Sequence, residues 1–466
     1  MIVYLIISIL LASSAFAARS ERHLFCTGIA FYAAQAGFAA WILAGGGYET
    51  TSAAVFTFDA AGTLFYLLLT LVSAFAYFHS EAYLKENDIR QNRTYSALVM
   101  LLTTAIAGVY FSNNLAVTWI LLEATSLCTA GIVYYRRTEQ TLEAAWKYLF
   151  VCSTGIAVAY LGILLLCAAT RSESLSHEAI AASVATANPL YLKIAFLLIL
   201  CGYSCKAEIF PLYTVGVDAN FAAPSPGSAL ISTGLVNAGF LAIFRIYKLL
   251  AASPVFAWVQ HVLLLTGILS LVIGALFLRR TNNYKRFLSY STVENMGIAA
   301  IGLGIGGIGV WAALFHVVFH TLIKSSLFLQ MAVVRQVYEG YRINRLGDYI
   351  RINRVGAIGL LVGMVVLIAF PPSPLFVSEL LILREAAVGG AWWLVAAMVL
   401  LVCIVIYSFC SRMIRLCYQP NQDELHPSKV DRALSWSALT LLALAMIAGL
   451  WQPERLVDLL HQIATL

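Results

Sequence analysis

Two histidines and a lysine recur at intervals of four residues in the segment FHVVFHTLIKSSLF, which covers positions 315–328. Four residues are little more than one helical turn, so a helix would place His316, His320 and Lys324 on nearly one face. Histidine can accept a proton on one ring nitrogen while donating from the other, which favours a proton relay of about 12 Å along the helix. The alternatives are hydrogen-bonded core histidines and a metal site, although no HExxH glutamate, nearby cysteine or third histidine accompanies the pair.

A second pair of candidates lies earlier in the chain. Glu123 lies in the middle of the apolar run that contains WILLEATSLCTAG, where an isolated carboxylate would be protonated. A partner lysine would keep both groups charged, and we expect Lys206 to be that partner. An ion pair that opens and closes would change the proton affinity of the lysine. A static structural salt bridge is the alternative.

Further ionisable residues lie within or beside apolar runs. A charged group at the centre of a membrane span costs about 2.5–3.5 kcal/mol on insertion scales, so each is a functional candidate. Glu379, just past Pro374, extends the line of relay groups. Glu294 is either a relay group or a structural partner, and Lys285 and Arg286 are expected to be topology anchors. The remaining members of the set are Asp59, Glu208 and Asp218.

The elements that must position these residues are apolar helices. Hydrophobic residues make up 61% of the 466 residues and charged residues 11%, against about 25% charged in an ordinary soluble domain. Apolar runs of about 20 residues recur fourteen times, which predicts an all-α polytopic membrane protein with about 14 transmembrane helices. The first run, 2–17, ends in AFA like a signal peptide, but no basic residue precedes it, so we expect a retained span.

The basic residues predict the orientation of the helices. Most of the 29 lysines and arginines follow odd-numbered runs, and few follow even-numbered ones. The positive-inside rule then makes the odd-numbered connections cytoplasmic and both termini external. The net charge of +6 is therefore topological and indicates no nucleic-acid partner.

Prolines interrupt two of the predicted spans. The seventh runs into KAEIFPLYTVGVDANFAAPSPGSAL and the twelfth into AFPPSPLFVSELL, so both helices should be broken. These spans hold equivalent places in two successive five-helix units of inverted topology, an arrangement typical of transport sites; simple kinks are the alternative. The predicted parts are 1–93 (helices 1–3), 94–250 and 251–418 (the two inverted five-helix repeats), and 419–466 (helix 14 and a short tail).

Two other patterns carry little functional weight. The nine cysteines mostly fall within apolar runs and form no CxxC, so we expect small buried thiols and no iron–sulfur cluster or metal in this chain. GIGGIG at 304–309 fits a GxGxxG pattern but follows no strand, so no dinucleotide site is expected.

Taken together, these segments resemble the antiporter-like subunits of respiratory complex I, Mrp cation/proton antiporters and energy-converting membrane-bound hydrogenases, including formate hydrogenlyase. The resemblance runs from about 58 to about 384 and rests on LLEATSL, EAAWKYLF, KAEIFPLYT…APSPGSAL, YKRFLSYSTVENMG, LFHVVFHTLIKSSLF and PPSPLFVSE. It implies a fourteen-helix fold with two inverted repeats and a polar axis across the membrane plane. It also implies that Glu123, Lys206, His316, His320, Lys324 and Glu379 carry proton translocation. EAAWKYLF and STVENMG are most similar to the hydrogenase branch.

The chain departs from the family pattern in two places. Many members have a lysine or histidine in the eighth helix, where ALISTGLVNAGF offers only Ser232 and Asn237. The family's PLHTWLPDAH appears as PLYTVGVDAN, which retains Asp218 but has Gly216 and Val217 in place of Leu-Pro. Water or Asn237 would have to bridge the two half-channels, and Glu294, Asn237, Ser232 and Asp218 are therefore secondary relay candidates.

The sequence thus predicts a proton-translocating, or sodium-translocating, membrane subunit of a ferredoxin- or hydrogenase-linked, or complex I-like, respiratory complex. In this mechanism the Glu123–Lys206 pair opens and the proton moves toward Lys324 and Glu379. The chain has no redox centre of its own, and iron–sulfur clusters and a NiFe centre are expected in partner subunits. We expect a bacterial or archaeal cytoplasmic membrane, other membrane and peripheral subunits as partners, and no nucleic acid. The alternatives are an Mrp-type cation/proton antiporter subunit and a translocation-inactive scaffold subunit.

Overall fold

α-Helices make up nearly all of the part of the chain that the structure, a computed structural model, describes: residues 1–45, 55–84 (main chain only at 83 and 84), 88–421 and 431–465. Within these ranges there is no β-strand, only isolated bridges. In chain order the helices are α1 (Ile2–Phe16), α2 (Glu21–Leu43), α3 (Ala60–Leu84), α4 (Ile89–Phe111), α5 (Leu115–Val133), α6 (Glu139–Thr170), α7 (His177–Ala181), α8 (Pro189–Ala207), α9 (Thr214–Ala222), α10 (Ser225–Leu230), α11 (Val236–Leu249), α12 (Phe256–Arg280), α13 (Tyr284–Ile305), α14 (Ile308–Tyr338), α15 (Tyr349–Ile352), α16 (Arg354–Leu367), α17 (Pro374–Val388), α18 (Trp392–Tyr418), α19 (Arg432–Trp451) and α20 (Glu454–Ala464).

Eleven helices in the described ranges are long and apolar enough to cross a membrane, so the prediction of an all-helical polytopic membrane protein is confirmed. Three further predicted spans correspond to helices outside that set. α1 and α16 are shorter, with 15 and 14 residues, and α13 carries Lys285, Arg286 and Glu294. The number fourteen, the inverted repeats and their boundaries stay predictions.

Several long helices begin at a side chain that caps their free main-chain N–H groups. Asn114 accepts hydrogen bonds from the main chain at the start of α5, Asn188 does so for α8 and Asn283 for α13. The first N–H groups of a helix have no partner inside the helix, and asparagine is among the residues that best satisfy them. These caps fix where the apolar spans begin.

The two predicted helix breaks are confirmed. α8 ends at Ala207, and Glu208 follows in the left-handed region with φ 52° before α9 begins. α16 ends at Leu367, and α17 begins at Pro374 after six intervening residues, capped by Ser373. A third irregularity was not predicted: a π-helical turn spans Ile231–Leu235 between α10 and α11.

The chain divides into two compact units. The first comprises the described residues of Met1–Gly227 and Gly234–His261, together with Thr465. Inside it α6 packs closely on α8, because a Cβ placed on Gly202 would lie 2.3 Å from the carbonyl oxygen of Gly155. This approach of two backbones requires glycine.

The second unit comprises Ser228–Thr233 and the described residues of Val262–Ala464. Its central element is α14, whose membrane-length segment is buried throughout. Helices α13, α16, α17, α19 and α20 surround it. The polar groups of α14 therefore lie in the interior of the unit.

The helices α13 and α14 form a hairpin that is joined at both ends. At one end the chain turns through Gly306 and Gly307, which have positive φ and lie in the GIGGIG segment. At the other end the main chain at Tyr284 donates to Tyr341, and Ile343 donates to Asn282. The residues before α13 and after α14 are thus bonded directly to each other.

Candidate functional site

In the first unit, Lys206 lies in the last turn of α8 and is only 1% exposed. Its Nζ donates a hydrogen bond to the hydroxyl of Tyr148 on α6 at 3.1 Å, and it lies 4.9 Å from the centroid of the same ring. A desolvated ammonium gains from both the hydroxyl oxygen and the negative face of the ring. Tyr148 is therefore the principal partner of this buried cation.

The predicted ion pair between Glu123 and Lys206 is not formed. The half-buried Glu123 accepts hydrogen bonds from Ser153 at 2.6 Å and from Ser126 at 3.3 Å, and no oxygen of its carboxylate lies within 4 Å of Lys206 Nζ. Helix α6 supplies a neutral partner to each group, Ser153 to the carboxylate and Tyr148 to the ammonium. The carboxylate and the ammonium thus each have a hydroxyl partner and do not contact each other.

The break after Lys206 contains a buried acid, one of the ionisable candidates that lie within or beside apolar runs. Glu208 is 1% exposed, and its Oε1 accepts a hydrogen bond from Asn220 at 2.8 Å. A Cβ on Gly216 would lie 2.5 Å from that same oxygen. The departure from the family pattern at Gly216 is therefore matched by the carboxylate that occupies the space beside it. Asp218 lies on the same short helix, α9, and is half-buried.

Helix α11 crosses α8 at the position of Lys206. A Cβ on Gly239 would lie 2.4 Å from the main-chain nitrogen of Ala207 and 2.8 Å from Lys206 Cβ. Two residues earlier, the buried Asn237 side chain contacts the hydroxyl of Tyr110, which itself donates to Gly234 O at 2.8 Å. The structure thus assigns Asn237 a hydrogen-bonding contact to α4.

In the second unit, α14 places its two histidines and lysine on one buried face, as the spacing predicts. His316, His320 and Lys324 are each 0% exposed. The two imidazole rings are nearly parallel, with centroids 6.4 Å apart and an interplanar angle of 9°. Among the described residues, no group of three or more His, Cys, Asp or Glu side chains is arranged to hold a metal ion.

A chain of hydrogen bonds connects Glu294 to His316. Asn295 donates from Nδ2 to the Glu294 carboxylate, and its Oδ1 lies 3.2 Å from His316 Nε2. On the other side of the ring, Nδ1 lies 2.9 Å from Ser378 Oγ on α17. Sequence reasoning missed both Asn295 and Ser378. Their only sequence signal is adjacency to the acids Glu294 and Glu379.

The other buried candidates on α14 and α17 have surroundings that differ from those of His316. Lys324 Nζ donates to Ser291 Oγ on α13 and interacts electrostatically with Glu294. Neither ring nitrogen of His320 has a hydrogen-bond partner among the described residues. Glu379 on α17 is 8% exposed and interacts electrostatically with Glu294. The carboxylate of Glu294 therefore interacts electrostatically with both Lys324 and Glu379.

The hydroxyls of the π turn join this cluster. Ser232 Oγ lies 2.8 Å from Thr292 Oγ1, and Ser325 Oγ donates to Thr233 Oγ1 at 3.3 Å. Thr292 and Ser325 directly follow the bonded pair Ser291 and Lys324 in sequence. The hydroxyls of Ser232 and Thr233 thus bond to the residues that follow Ser291 and Lys324 in the chain.

Three of the charged residues singled out in the sequence lie outside these two clusters. Asp59 caps α3 by accepting from Gly62 N at 2.8 Å, and both of its oxygens accept from Arg245 at 3.0 Å. Lys285, expected to be an interfacial anchor, is instead 0% exposed, with Nζ 5.4 Å from the Tyr341 ring centroid. The segment after α14 covers it, which its position at a helix start could not reveal. Arg286 is exposed, as an anchor would be.

A family model and a relative of similar length match most of this chain. Residues 112–405 match the family model described as NADH:quinone oxidoreductase/Mrp antiporter, TM. The Hydrogenase-4 component F homolog of Methylacidiphilum infernorum is 30% identical over 372 residues, which cover 78% of this chain and 76% of that protein.

Two solved structures share the fold. One chain of the membrane-bound sulfane sulfur reductase, an archaeal respiratory membrane complex, superposes with a TM-score of 0.85 at 22% identity, covering 99% of this chain and 95% of that chain. A chain of the Mrp complex from Dietzia sp. DQ12-45-1b gives 0.86 at 17% identity, covering 99% and 96%. Because the family model matches more than half of the sequence and the hydrogenase-4 relative covers most of it, the chain belongs to the NADH:quinone oxidoreductase/Mrp antiporter family of membrane proteins.

Proposed function

We propose that this protein is a proton-translocating membrane subunit of a multisubunit, hydrogenase-linked respiratory complex. The observation that carries the proposal is the fully buried row of His316, His320 and Lys324, connected to Glu294 through Asn295. Burying several ionisable groups in a membrane interior is costly, and such groups usually line ion pathways. The Mrp antiporter in the description of the matching family model supports the same assignment.

Each unit supplies a buried lysine with hydroxyl partners and a nearby acid. In the second unit Lys324 donates a hydrogen bond to Ser291 and interacts electrostatically with Glu294. Protonation of Glu294 would remove a negative charge from this environment and lower the proton affinity of Lys324. In the first unit Tyr148 and Ser153 keep Lys206 and Glu123 apart, so that closure of the pair would raise the lysine's proton affinity. Alternation between such states provides a way to load and release a proton.

The side chains favour H⁺ over Na⁺ as the transported ion. Sodium prefers a cage of carboxylate and carbonyl oxygens, whereas His316, His320 and Lys324 on α14 offer imidazole and ammonium nitrogens. These nitrogen groups take up and release protons. The residues proposed to hold the transported proton in this unit are His316, His320, Lys324 and Glu379.

The electron carriers are proposed to reside in other subunits. The relatives' names include a hydrogenase component and a respiratory membrane complex, which supports partners of that class. Iron–sulfur clusters and a NiFe centre would belong to those partners. The proposed location is a bacterial or archaeal cytoplasmic membrane, with both termini external.

The direct test is proton uptake by liposomes that contain the intact complex. We expect Lys206→Ala to reduce uptake about tenfold or more, because the lysine is a proton-carrying group. Lys147→Ala is the matched control, since Lys147 is 58% exposed and pairs with the exposed Glu143. Unchanged uptake in Lys206→Ala would refute the proposal, and uptake that requires Na⁺ would assign sodium as the ion.

Two other functions have specific support. The fold shared with the Mrp complex supports a secondary cation/proton antiporter subunit, which would co-purify without a hydrogenase-like large subunit. The lack of a basic side chain between Ser232 and Asn237 supports a translocation-inactive scaffold. In that case electron transfer by the complex would be unaffected by Lys206→Ala and Lys324→Ala.

A further inference from the structure

The surroundings of His316 are asymmetric in a way that determines where its proton can be exchanged. One ring nitrogen faces an amide and the other faces a hydroxyl. The ring is 0% exposed, so these two groups are its hydrogen-bond partners.

The orientation of the Asn295 amide follows from its neighbours. Its Nδ2 lies 2.7 Å from the carbonyl oxygen of Ser291 and also donates to the carboxylate of Glu294. Both neighbours are hydrogen-bond acceptors, so the flipped amide would place Oδ1 against two oxygens. The NH₂ group therefore faces Ser291 and Glu294, and Oδ1 faces His316.

An amide oxygen only accepts hydrogen bonds, so His316 Nε2, 3.2 Å away, must carry a hydrogen. In the neutral ring the acceptor nitrogen is then Nδ1. Asn295 has no titratable proton that it could pass to Nε2 in exchange. This side of the ring is consequently closed to proton transfer.

The other side has a group that can change direction. Ser378 Oγ lies 2.9 Å from Nδ1 and 2.8 Å from the carbonyl oxygen of Leu375. Its single hydrogen can be donated to only one of them. When His316 is an imidazolium, Nδ1–H donates to Oγ while the hydroxyl donates to Leu375. When the ring is neutral, the hydroxyl must turn and donate to Nδ1.

We propose that His316 exchanges its proton only at Nδ1, through the hydroxyl of Ser378, and that Asn295 is the positioning residue that keeps Nε2 permanently protonated. This deepens the proposed translocation function and rests on it for its physiological meaning. In the loading step, Ser378 Oγ–H gives its proton to Nδ1 and takes one from a carboxylic acid or hydrated proton on the α17 side. One proton enters, none is lost, and no electron moves. Release is the reverse.

The first test measures the tautomer directly. The protein is labelled with ¹⁵N at histidine, embedded in lipid bilayers and studied by solid-state NMR, with His316→Gln used to assign the signals. We expect neutral His316 to be protonated at Nε2 alone, and Asn295→Leu to give a mixture of tautomers. A neutral wild-type ring protonated at Nδ1 would overturn the proposal. This measurement does not depend on translocation.

The second test measures proton uptake by liposomes that contain the intact complex. Ser378→Ala should lower the rate about tenfold or more, whereas Ser378→Thr, which keeps the hydroxyl, should restore most of it. Ser326→Ala is the matched control, because Ser326 is equally buried and donates only to the carbonyl of Ala438.

The outcomes separate the two proposals. Full uptake in Ser378→Ala, with wild-type complex active, would overturn the assignment of Ser378 and leave translocation standing. An inactive wild-type complex would refute translocation, and the NMR result would still decide the tautomer. A third outcome is that both Ser378→Ala and Ser378→Thr lose uptake while their NMR spectra still show a folded protein. That result would count against proton exchange through the Ser378 hydroxyl.

Discussion

Gly239 brings the backbone of α11 into direct contact with Lys206 of α8, since a Cβ at Gly239 would lie 2.8 Å from Lys206 Cβ. Gly239→Ala should therefore push the two helices apart at the break. Overpacking of this kind costs about 1–3 kcal/mol of unfolding free energy. We expect a lower thermal midpoint and reduced proton uptake.

Gly37→Ala is the control for that substitution. Gly37 is also in a helix, α2, but a Cβ there would meet nothing within 4 Å. Alanine is the better helix former by about 1 kcal/mol, so Gly37→Ala should be neutral or stabilising. If both variants melt at the wild-type temperature, the close contact at Lys206 is not real.

Glu208 and Gly216 should be energetically coupled, because the carboxylate occupies the space that a Cβ at Gly216 would need. Gly216→Ala alone is expected to destabilise the protein by about 1–3 kcal/mol. In the background of Glu208→Ala the same change should cost about 1 kcal/mol less, or nearly nothing. A double-mutant cycle of unfolding free energies measures this coupling, and strictly additive effects would contradict it.

Tyr148→Phe removes the hydroxyl that accepts from Lys206 and keeps the ring beneath its ammonium. We expect a loss of about 1–3 kcal/mol in stability, because a buried charged donor loses its partner, together with slower proton uptake. Tyr203→Phe on α8 is the control. Its hydroxyl is buried and has no hydrogen-bond partner among the described residues, so its loss should cost little. Equal effects of the two substitutions would rule out a special role for the Tyr148 hydroxyl.

His177, in the connection between α6 and α8, should make the protein less stable in mild acid. Burial, and then the Arg245 guanidinium, lower the pKa of His177 to about 3, whereas an exposed histidine titrates near 6.5. Between these values the unfolded chain binds a proton that the folded chain does not. Stability should therefore fall as pH drops below about 6.5, by at most about 1.4 kcal/mol per pH unit.

Thermal midpoints at pH 5 and pH 8 measure this dependence. His177→Gln can still contact Asn113, the partner of the His177 ring, and should reduce the difference between the two midpoints. His261→Gln, at an exposed position of α12, should leave it as in the wild type. An unaltered pH difference in His177→Gln would show that another group is responsible.

The features that the sequence predicted correctly depend on local spacing. The interval of four residues places His316, His320 and Lys324 on one face of a helix, and proline at 211 and 371–374 interrupts the two spans. Periodicity and proline act within a single element, so a single sequence is enough to recognise them.

Contacts between helices were less predictable. Glu123 and Lys206 were expected to pair because each needs a polar partner, but serine and tyrosine hydroxyls of α6 satisfy them separately. Apart from their adjacency to an acid, Asn295 and Ser378 carry no pattern that distinguishes them from other buried polar residues. Their role depends on which helices are neighbours, and that information is non-local.

The closed α13–α14 hairpin has a mechanical consequence. Its two helices are tied at one end by the Gly306–Gly307 turn and at the other by the main-chain bonds from Tyr284 to Tyr341 and from Ile343 to Asn282. Neither helix can slide along the other without breaking one of these ties. Shear between the two helices is therefore blocked, and changes along the line from Glu294 to His316 must come from rotating side chains on a rigid frame.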